Sequence, residues 1–226
     1  MNLKQFKNRF SEIKGKSFKT VRAGDDGGAG RTLEHLLGLK ESNIALPDLG
    51  KIELKTHRSD SNTPITLFTL DRDSWVMDQK AAVVKYGRFD EYGVKRLNPG
   101  KISVDGNSTG LYLAVNKNVA YIGHRNGDIL ISWELDDIRE RFEDKLPAII
   151  LVDASVKGTK PEQFIYNMAT LLQSPSKNSF KTHLRHGNIF VETRLGLKKG
   201  VIRNHGTAFR AYERNLKNLF DKQVTI

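Results

Sequence analysis

Three side chains in the segment PDLGKIELKTHR, residues 47–58, could together hold a metal ion and act on water. Glu53 and Lys55 are two residues apart, so they project to the same side of a strand. Asp48 lies just across a predicted tight turn, and its carboxylate can therefore approach that of Glu53. Two carboxylates in a poorly solvated place repel each other, and a divalent cation relieves that repulsion. The pattern predicts a metal site with an ammonium beside it.

The few hard oxygen ligands in this pattern suggest Mg²⁺, with water filling its remaining positions. A lysine beside such a site can orient a metal-bound water or help to deprotonate it. The natural substrate of the arrangement is a phosphodiester. A bare D-x₄-E-x-K match is weak, and a solvated strand edge that carries charges is the plain alternative.

Three further features favour the metal site over a solvated edge. Ile52 and Leu54 point away from the acidic side of the strand, so that one face is predicted to be core. Glu34 lies on a preceding helix whose leucines would pack it near the sheet. The C-terminal part of the chain supplies a basic counter-surface for phosphates.

Positive charge is concentrated in that C-terminal part. The 226 residues carry 37 Lys+Arg and 26 Asp+Glu, which gives a formal charge of +11. Residues 177–217 contain ten basic and two acidic residues, and so supply +8 of this charge. A charge that only improves solubility has no reason to concentrate there, and a polyanionic partner is favoured.

Composition excludes several other classes of protein. No apolar run approaches the roughly 20 residues of a membrane span, and the N-terminal MNLKQFKNRF is too charged for a secretory signal. We therefore expect a soluble, intracellular protein. The chain has no cysteine, which excludes disulfides, thiolate catalysis and cysteine-based zinc sites.

The order of helical and strand patterns predicts an α/β fold with a mixed sheet. The predicted helices are residues 2–14, a short helix capped by Thr32 and ended by Gly38, 136–145, 161–174 with Pro161 at its start, and 210–221. The predicted strands are residues 44–48, 51–57 and 64–70, a meander from 101 to 135 with an Asn126-Gly127 hairpin, a fully covered strand at 147–156, and 188–195. Residues 71–100 are predicted to be an irregular insertion, and VIRNHGTAFR, residues 201–210, a loop.

Several of these segments together resemble a known family. The pattern GAGRTLEHLLGLKESN…LPDLGKIELKTHR…ITLFTL resembles the catalytic region of the MvaI/BcnI group of restriction endonucleases, which is related to the mismatch-repair nickase MutH. The resemblance is dense over residues 28–70 and extends more loosely to RNHGTAFR and the last helix. It implies a PD-(D/E)XK nuclease with a restriction-endonuclease-like mixed β-sheet core, flanked by helices and carrying an inserted β-meander.

The resemblance also implies roles for particular residues. Asp48 and Glu53 would be metal ligands, Lys55 would act on the attacking water, and Glu34 would support the site. The expected activity is Mg²⁺-dependent hydrolysis of double-stranded DNA by a monomer, leaving 5′-phosphates. Four residues separate Asp48 from Glu53, and this spacing favours the restriction-enzyme branch over the nickase.

The segment VIRNHGTAFR corresponds to one that enters the major groove in this group. Arg203 and Arg210 are candidates for guanine contacts, because the arginine fork matches O6 and N7 of guanine. By analogy His205 would lie at the central base pair, and Gly206 would allow close backbone approach. The candidates for phosphate contacts that read no sequence are Lys80, Lys85, Arg88, Lys181, Arg185, Lys198 and Lys199.

The leading hypothesis is a type II restriction endonuclease that cleaves at a short site such as CCWGG or CCSGG. It predicts a cytoplasmic protein of a prokaryotic cell, with a cognate DNA methyltransferase in the same system. We expect a single nuclease domain over residues 1–226, which can be divided into two lobes around a DNA cleft, a catalytic lobe at about 1–160 and a recognition lobe at about 161–226. A MutH-like strand-nicking repair enzyme and a non-catalytic DNA-binding module are the alternatives.

Overall fold

The computed structural model describes residues 1–21, 28–39, 52–59, 62–70, 74–97, 100–159 and 161–226. The helices are α1 Leu3–Ile13, α2 Gly28–Leu36, α3 Gln79–Tyr86, α4 Leu135–Lys145, α5 Lys177–Arg185 and α6 Glu213–Leu216, and a 3₁₀ helix spans Lys217–Leu219. The strands are β1 Ser17–Lys19, β2 Glu53–Arg58, β3 Ile65–Leu70, β4 Arg88–Phe89, β5 Lys95–Arg96, β6 Leu111–Val115, β7 Val119–His124, β8 Ile129–Glu134, β9 Ala148–Lys157, β10 Gln163–Pro175, β11 Ile189–Lys198, β12 Val201–Ala211 and β13 Phe220–Thr225. Among the described residues, no helix has the length and apolar character that crossing a bilayer requires.

The chain forms two compact units. The first unit comprises Met1–Ile65, Glu143–Ser176 and Leu216–Ile226, and the second comprises Thr66–Phe142 and Lys177–Asn215. Each unit takes chain from both sides of residue 160. The predicted division of labour between a catalytic and a recognition lobe stays a prediction.

The first unit is built on a five-stranded sheet in the order β1-β10-β9-β2, with β13 also paired to β10. β2 runs parallel to β9, whereas the other pairs are antiparallel, so this is the mixed sheet that the sequence predicts. One face packs against α1 and α2 in a core that includes Phe6, Leu33, Leu54, Ile150 and Val152. The other face of β2 is therefore left for polar side chains.

Helix α1 confirms the predicted helix over residues 2–14. Asn2 caps it through a capping box with Gln5, and Phe6, Phe10 and Ile13 form its buried stripe. Helix α2 begins at Gly28, so the prediction that Thr32 caps it is wrong. The side chain of Thr32 is buried and accepts a bond from the N–H of Val21.

The second unit contains a five-stranded sheet in the order β3-β12-β11-β5-β4 and a three-stranded meander, β6-β7-β8. The meander confirms the predicted strands over residues 110–135, and Gly127 has the positive φ of 97° that the predicted hairpin turn requires. Residues 101–107 do not form the predicted strand, since Ile102 makes only an isolated bridge to Val191.

Three predictions of local structure are wrong because pairing between strands overrides local pattern. From residue 163 onward the predicted helix over 161–174 is strand β10, since Phe164 and Tyr166 also fit a two-residue repeat and the segment is hydrogen-bonded to β1, β9 and β13. Residues 201–210 are strand β12 rather than a loop. The predicted helix over 210–221 is reduced to α6 and the 3₁₀ helix, and β13 follows. Residues 71–100 are not wholly irregular, because they contain α3, β4 and β5.

Candidate active site

A buried carboxylate with two cationic partners lies at the start of β2. The side chain of Glu53 is 7% exposed. Lys55 Nζ lies 2.7 Å from Glu53 Oε1, and Lys145 Nζ lies 2.9 Å from Glu53 Oε2. Burying a charged carboxylate without partners is costly, and the two ammoniums offset that cost. Both oxygens are thus fixed, and the carboxylate has one defined orientation.

Two elements bring these three side chains together. Glu53 and Lys55 share a face of β2, while Leu54 between them packs into the core on the opposite face. Lys145 is the last residue of α4, and the next strand, β9, runs parallel to β2 with Ile149 beside Glu53. A lysine at a helix C-terminus also interacts favourably with the helix dipole. Helix α4 thereby delivers Lys145 to the edge where β2 begins.

Sequence reasoning does not find Lys145. It ends the segment DDIRERFEDK, which predicts an exposed charged helix, and it is 92 residues away from Glu53 in the chain. The available signal is a lysine that closes a charged helix directly before a buried strand. That signal is too common to identify a site without the pairing of β2 and β9.

The polar face of β2 continues beyond Lys55. His57 lies two residues further on the same face, opposite Asp153 of β9. Its Nδ1 is 4.0 Å from Asp153 Oδ1, and both side chains are mostly buried. A second pair of ionisable groups therefore lies beside the Glu53 site on the same sheet.

The structure defines the positions of two other predicted catalytic residues, Asp48 and Glu34, less fully. Asp48, the predicted strand over 44–48 and the predicted turn at Leu49-Gly50 lie outside the described residues. Glu34 is half-buried on α2, and this helix packs against β2. The roles of both residues stay predictions.

The ligand type at Glu53 fits a hard divalent cation. Its carboxylate oxygens are hard donors. The two lysine ammoniums bound to them show that this carboxylate attracts positive charge. Within the described residues, no group of three or more His, Cys, Asp or Glu side chains is placed to hold a metal. Asp48, the predicted second carboxylate ligand, lies outside the described residues.

The second unit carries the residues predicted to read bases. Arg203 and His205 lie on β12, and both are exposed. The side chain of neither residue makes a hydrogen bond or ion pair with another described residue. Both side chains are therefore available to a ligand.

A β-bulge sets the position of His205. The pairing of β11 with β12 shifts between Thr193 and Leu195, which leaves His205 and Gly206 opposite the single residue Arg194. Gly206 has a φ of +81°, and a Cβ on it would lie 2.6 Å from the Leu70 carbonyl oxygen. The N–H of Gly206 donates to Asn204 Oδ1 at 2.8 Å. The close approach predicted for Gly206 is thus made to strand β3.

Arg210, the other predicted guanine reader, is engaged within the protein. Its Nη1 lies 2.5 Å from Glu192 Oε2 on the neighbouring strand. Arg194, which sequence reasoning does not single out, donates from Nη2 to Thr69 Oγ1 at 2.5 Å. Burial lowers the pKa of Arg194, the nearby Arg210 lowers it further, and Glu192 raises it.

Four of the predicted phosphate contacts are also engaged within the second unit. Lys85 pairs with Asp128 at 2.6 Å, and Lys181 pairs with Asp136 at 2.8 Å. The hydrogen bonds from these lysines hold the pKa of both aspartates below the usual value. The other two donate to carbonyl oxygens, Arg88 to Ser108 at 3.2 Å and Arg185 to Lys117 at 3.5 Å.

The remaining three predicted phosphate contacts are exposed. Lys198 and Lys199 lie at the tip of the β11–β12 hairpin, where Lys199 and Gly200 both have positive φ. Lys80 is on the first turn of α3. The side chains of all three make no hydrogen bond or ion pair with another described residue. Their contact with phosphates stays a prediction.

Known proteins share the pattern and the fold described above. The MvaI/BcnI restriction endonuclease family matches residues 7–220. The restriction endonuclease MvaI in complex with its cognate DNA substrate is 25% identical, with a TM-score of 0.80 over 100% of this chain and 99% of that one. MvaI in the absence of DNA is 25% identical, with a TM-score of 0.54 over 99% and 97% of the two chains. No curated protein sequence matches the chain.

Proposed function

Since the chain belongs to the MvaI/BcnI restriction endonuclease family and is a type II site-specific deoxyribonuclease, we propose that it hydrolyses duplex DNA with Mg²⁺ at a short sequence such as CCWGG or CCSGG, as a monomer. A methyltransferase that modifies the same sequence would protect the host DNA. The observation that supports the proposal most directly is the buried Glu53 carboxylate held by Lys55 and Lys145.

In this proposal Glu53 and Asp48 would hold the metal ion. When bound, Mg²⁺ would polarise the scissile phosphate and neutralise the negative charge that develops on it. Glu53 is suited to this role because it is fixed before any ligand arrives, so no reorganisation is needed during the reaction.

Lys55 is the residue proposed to act on the attacking water. Its Nζ uses one N–H to bind Glu53 Oε1. An ammonium has three N–H donors, so two remain to orient a water molecule against the phosphate. Lys145 holds the other oxygen of Glu53 and is proposed to act through Glu53, as a positioning residue.

The proposal for sequence reading favours Arg203 and His205. Both are exposed and have no partner among the described residues, which leaves the Arg203 fork free for O6 and N7 of a guanine. His205 is proposed to contact the central base pair. Arg210 already binds Glu192 through one amino group, so a guanine contact would require it to share or release that partner.

Cleavage of supercoiled plasmid by the purified chain tests the proposal. A monomer with one site must cut the strands in turn, so nicked circles should appear first and then give way to discrete fragments. EDTA should stop both steps, and added Mg²⁺ should restore them. Stable nicks would favour the repair-nickase relative, and a smear or intact plasmid would contradict site-specific cleavage. Sequencing the ends of the fragments gives the site and the cut position.

A further inference from the structure

The sheet face that carries Arg203 continues across three more strands. Arg203 of β12 lies opposite Gly196 of β11, Gly196 opposite Arg96 of β5, and Arg96 opposite Arg88 of β4. Residues directly opposed in antiparallel strands have their side chains on the same face. We call Arg88, Arg96 and Arg203 the arginine row. Three of its four strand positions carry a guanidinium, and the fourth carries no side chain.

The glycine in the row makes space for its neighbour. A Cβ built on Gly196 would lie 3.9 Å from Arg96 Nη1 and 3.1 Å from a methyl of Val94. The guanidinium of Arg96 therefore extends over β11, towards the strand of Arg203. A larger residue at 196 would compete with Arg96 for this space.

Asp90 holds Arg96 in place. Its Oδ2 lies 2.7 Å from Arg96 Nε, and its Oδ1 accepts the backbone N–H groups of Tyr92 and Val94 at 3.0 and 2.9 Å. The bond from Val94 is the main cause that lowers the pKa of Asp90, and Arg96 adds to it. Asp90 accepts from Nε, so the two outer nitrogens of Arg96 keep donors for a ligand. The Arg96 side chain is 50% exposed, so a ligand can reach them.

The spacing of the row matches a DNA groove. Neighbouring strands are roughly 4.8 Å apart, so Arg96 lies about 10 Å and Arg88 about 14 Å from Arg203 along the row. The major groove is about 12 Å wide and is bordered by phosphates. If Arg203 reaches base edges inside the groove, the other two arginines lie at its phosphate wall.

We propose that Arg96, anchored by Asp90, binds backbone phosphates of the duplex that Arg203 reads, together with the predicted phosphate contact Arg88, and so extends the DNA surface onto the β4–β5 hairpin. One amino group of Arg88 donates to the Ser108 carbonyl at 3.2 Å, and its other donors remain for a phosphate. The proposal rests on the proposed reading of DNA by Arg203.

Equilibrium binding of the full chain, without divalent cations, tests this inference. The probes are a labelled duplex that the enzyme cleaves and one that it does not, each measured from low to high salt. Arg96→Ala should weaken binding to both duplexes by the same factor, and should reduce the slope of log K against log salt by about 0.9. Arg96→Lys keeps the charge and should retain most of the slope.

Arg125→Ala is the matched control, because Arg125 is an exposed arginine of the same unit outside the row. It should leave the slope nearly unchanged. An equal slope change in both alanine variants would overturn the proposal, because net charge alone would then explain it. An unchanged slope in Arg96→Ala, or a loss confined to the cleaved duplex, would also overturn it. If Arg203→Ala leaves the preference for the cleaved duplex intact, the proposed base reading fails instead.

Discussion

Charged side chains are used in opposite ways in the two units. In the first unit, Glu53 is buried and both its oxygens are bound to lysines. In the second unit, Arg203 is exposed and has no partner among the described residues. A carboxylate that must hold its orientation during a reaction benefits from partners fixed in advance. A side chain that must read a base has to keep its donors free until DNA arrives.

The largest effect is expected from removing the charge of Glu53. Glu53→Gln keeps the shape but leaves Lys55 and Lys145 without their anion and weakens any cation site. We expect a loss of cleavage rate of about 10⁴-fold, equivalent to several kcal/mol of transition-state stabilisation. The measurement is the initial rate of plasmid cleavage in Mg²⁺.

Glu12→Gln is the control for this variant, because Glu12 is an exposed glutamate on α1 of the same unit. It should cleave at the normal rate. Binding of Glu53→Gln to the cleaved duplex should persist. If Glu53→Gln cleaved as fast as the control, the buried carboxylate could not be the centre of the site.

The next effect distinguishes the two lysines. Lys55→Ala should lower the cleavage rate by about 10² to 10³-fold, in the range of an acid–base residue that acts on the nucleophile. Lys157→Ala, at the exposed end of β9, is the control and should cleave normally. A Lys55→Ala protein that is folded and fully active would remove the proposed role of this lysine.

Lys145→Ala should have a smaller effect, since Lys145 is proposed to act only through Glu53. We expect about 10 to 100-fold lower kcat, as for groups that orient a catalytic ligand. KM for DNA should stay the same, and Lys145→Arg should recover part of the loss. Equal losses in Lys145→Ala and Lys55→Ala would show that the two lysines do not differ in role.

In the second unit, Arg203 has no side-chain partner among the described residues, whereas Arg210 is paired with Glu192. Arg203→Ala should weaken binding to the preferred site by about 1–3 kcal/mol and relax specificity at one base. Arg210→Ala should affect specificity less, because Arg210 is held by Glu192. Competition between duplexes that differ at single base pairs measures both. A uniform loss over all sequences would make Arg203 a phosphate contact.

The smallest effect is expected at Tyr166, a buried residue of strand β10 in the first sheet. Tyr166 donates its hydroxyl to the Ala29 carbonyl at 2.8 Å, and burial raises the pKa of Tyr166 well above its usual value. Because the pKa of Tyr166 is higher in the folded than in the unfolded state, its contribution to the free energy of unfolding is complete below the unfolded-state pKa of about 10. That contribution is lost as the pH rises above this value. Tyr166→Phe should lower stability by about 1 kcal/mol at neutral pH. In urea unfolding at several alkaline pH values, the gap to the wild type should close.

Contacts inside one strand could be predicted from sequence, and contacts between distant elements could not. The approach of Lys55 to Glu53 follows from a spacing of two residues on β2. Lys145 could not be found, because its position depends on how β9 pairs with β2. The same limit applies to β10. Its apolar residues fit both a helical and a strand repeat, and only the pairing with β9 and β13 makes it a strand.

The segment VIRNHGTAFR gives the same lesson in the second unit. Its polar residues and glycine predict a loop, yet ten consecutive residues join a strand, and the glycine provides a bulge within it. The sequence is sufficient to predict that the side chains of Arg203 and His205 are exposed. Their placement on a sheet, in a row with Arg96, depends on pairing with β11 and β5.

The bulge at Gly206 limits how the specificity of this enzyme could be redesigned. Its left-handed backbone lies against the Leu70 carbonyl, with no room for a side chain. Libraries that aim at new target sequences should therefore keep position 206 constant and vary the flanking side chains, because any replacement there would move the strand that carries Arg203 and His205.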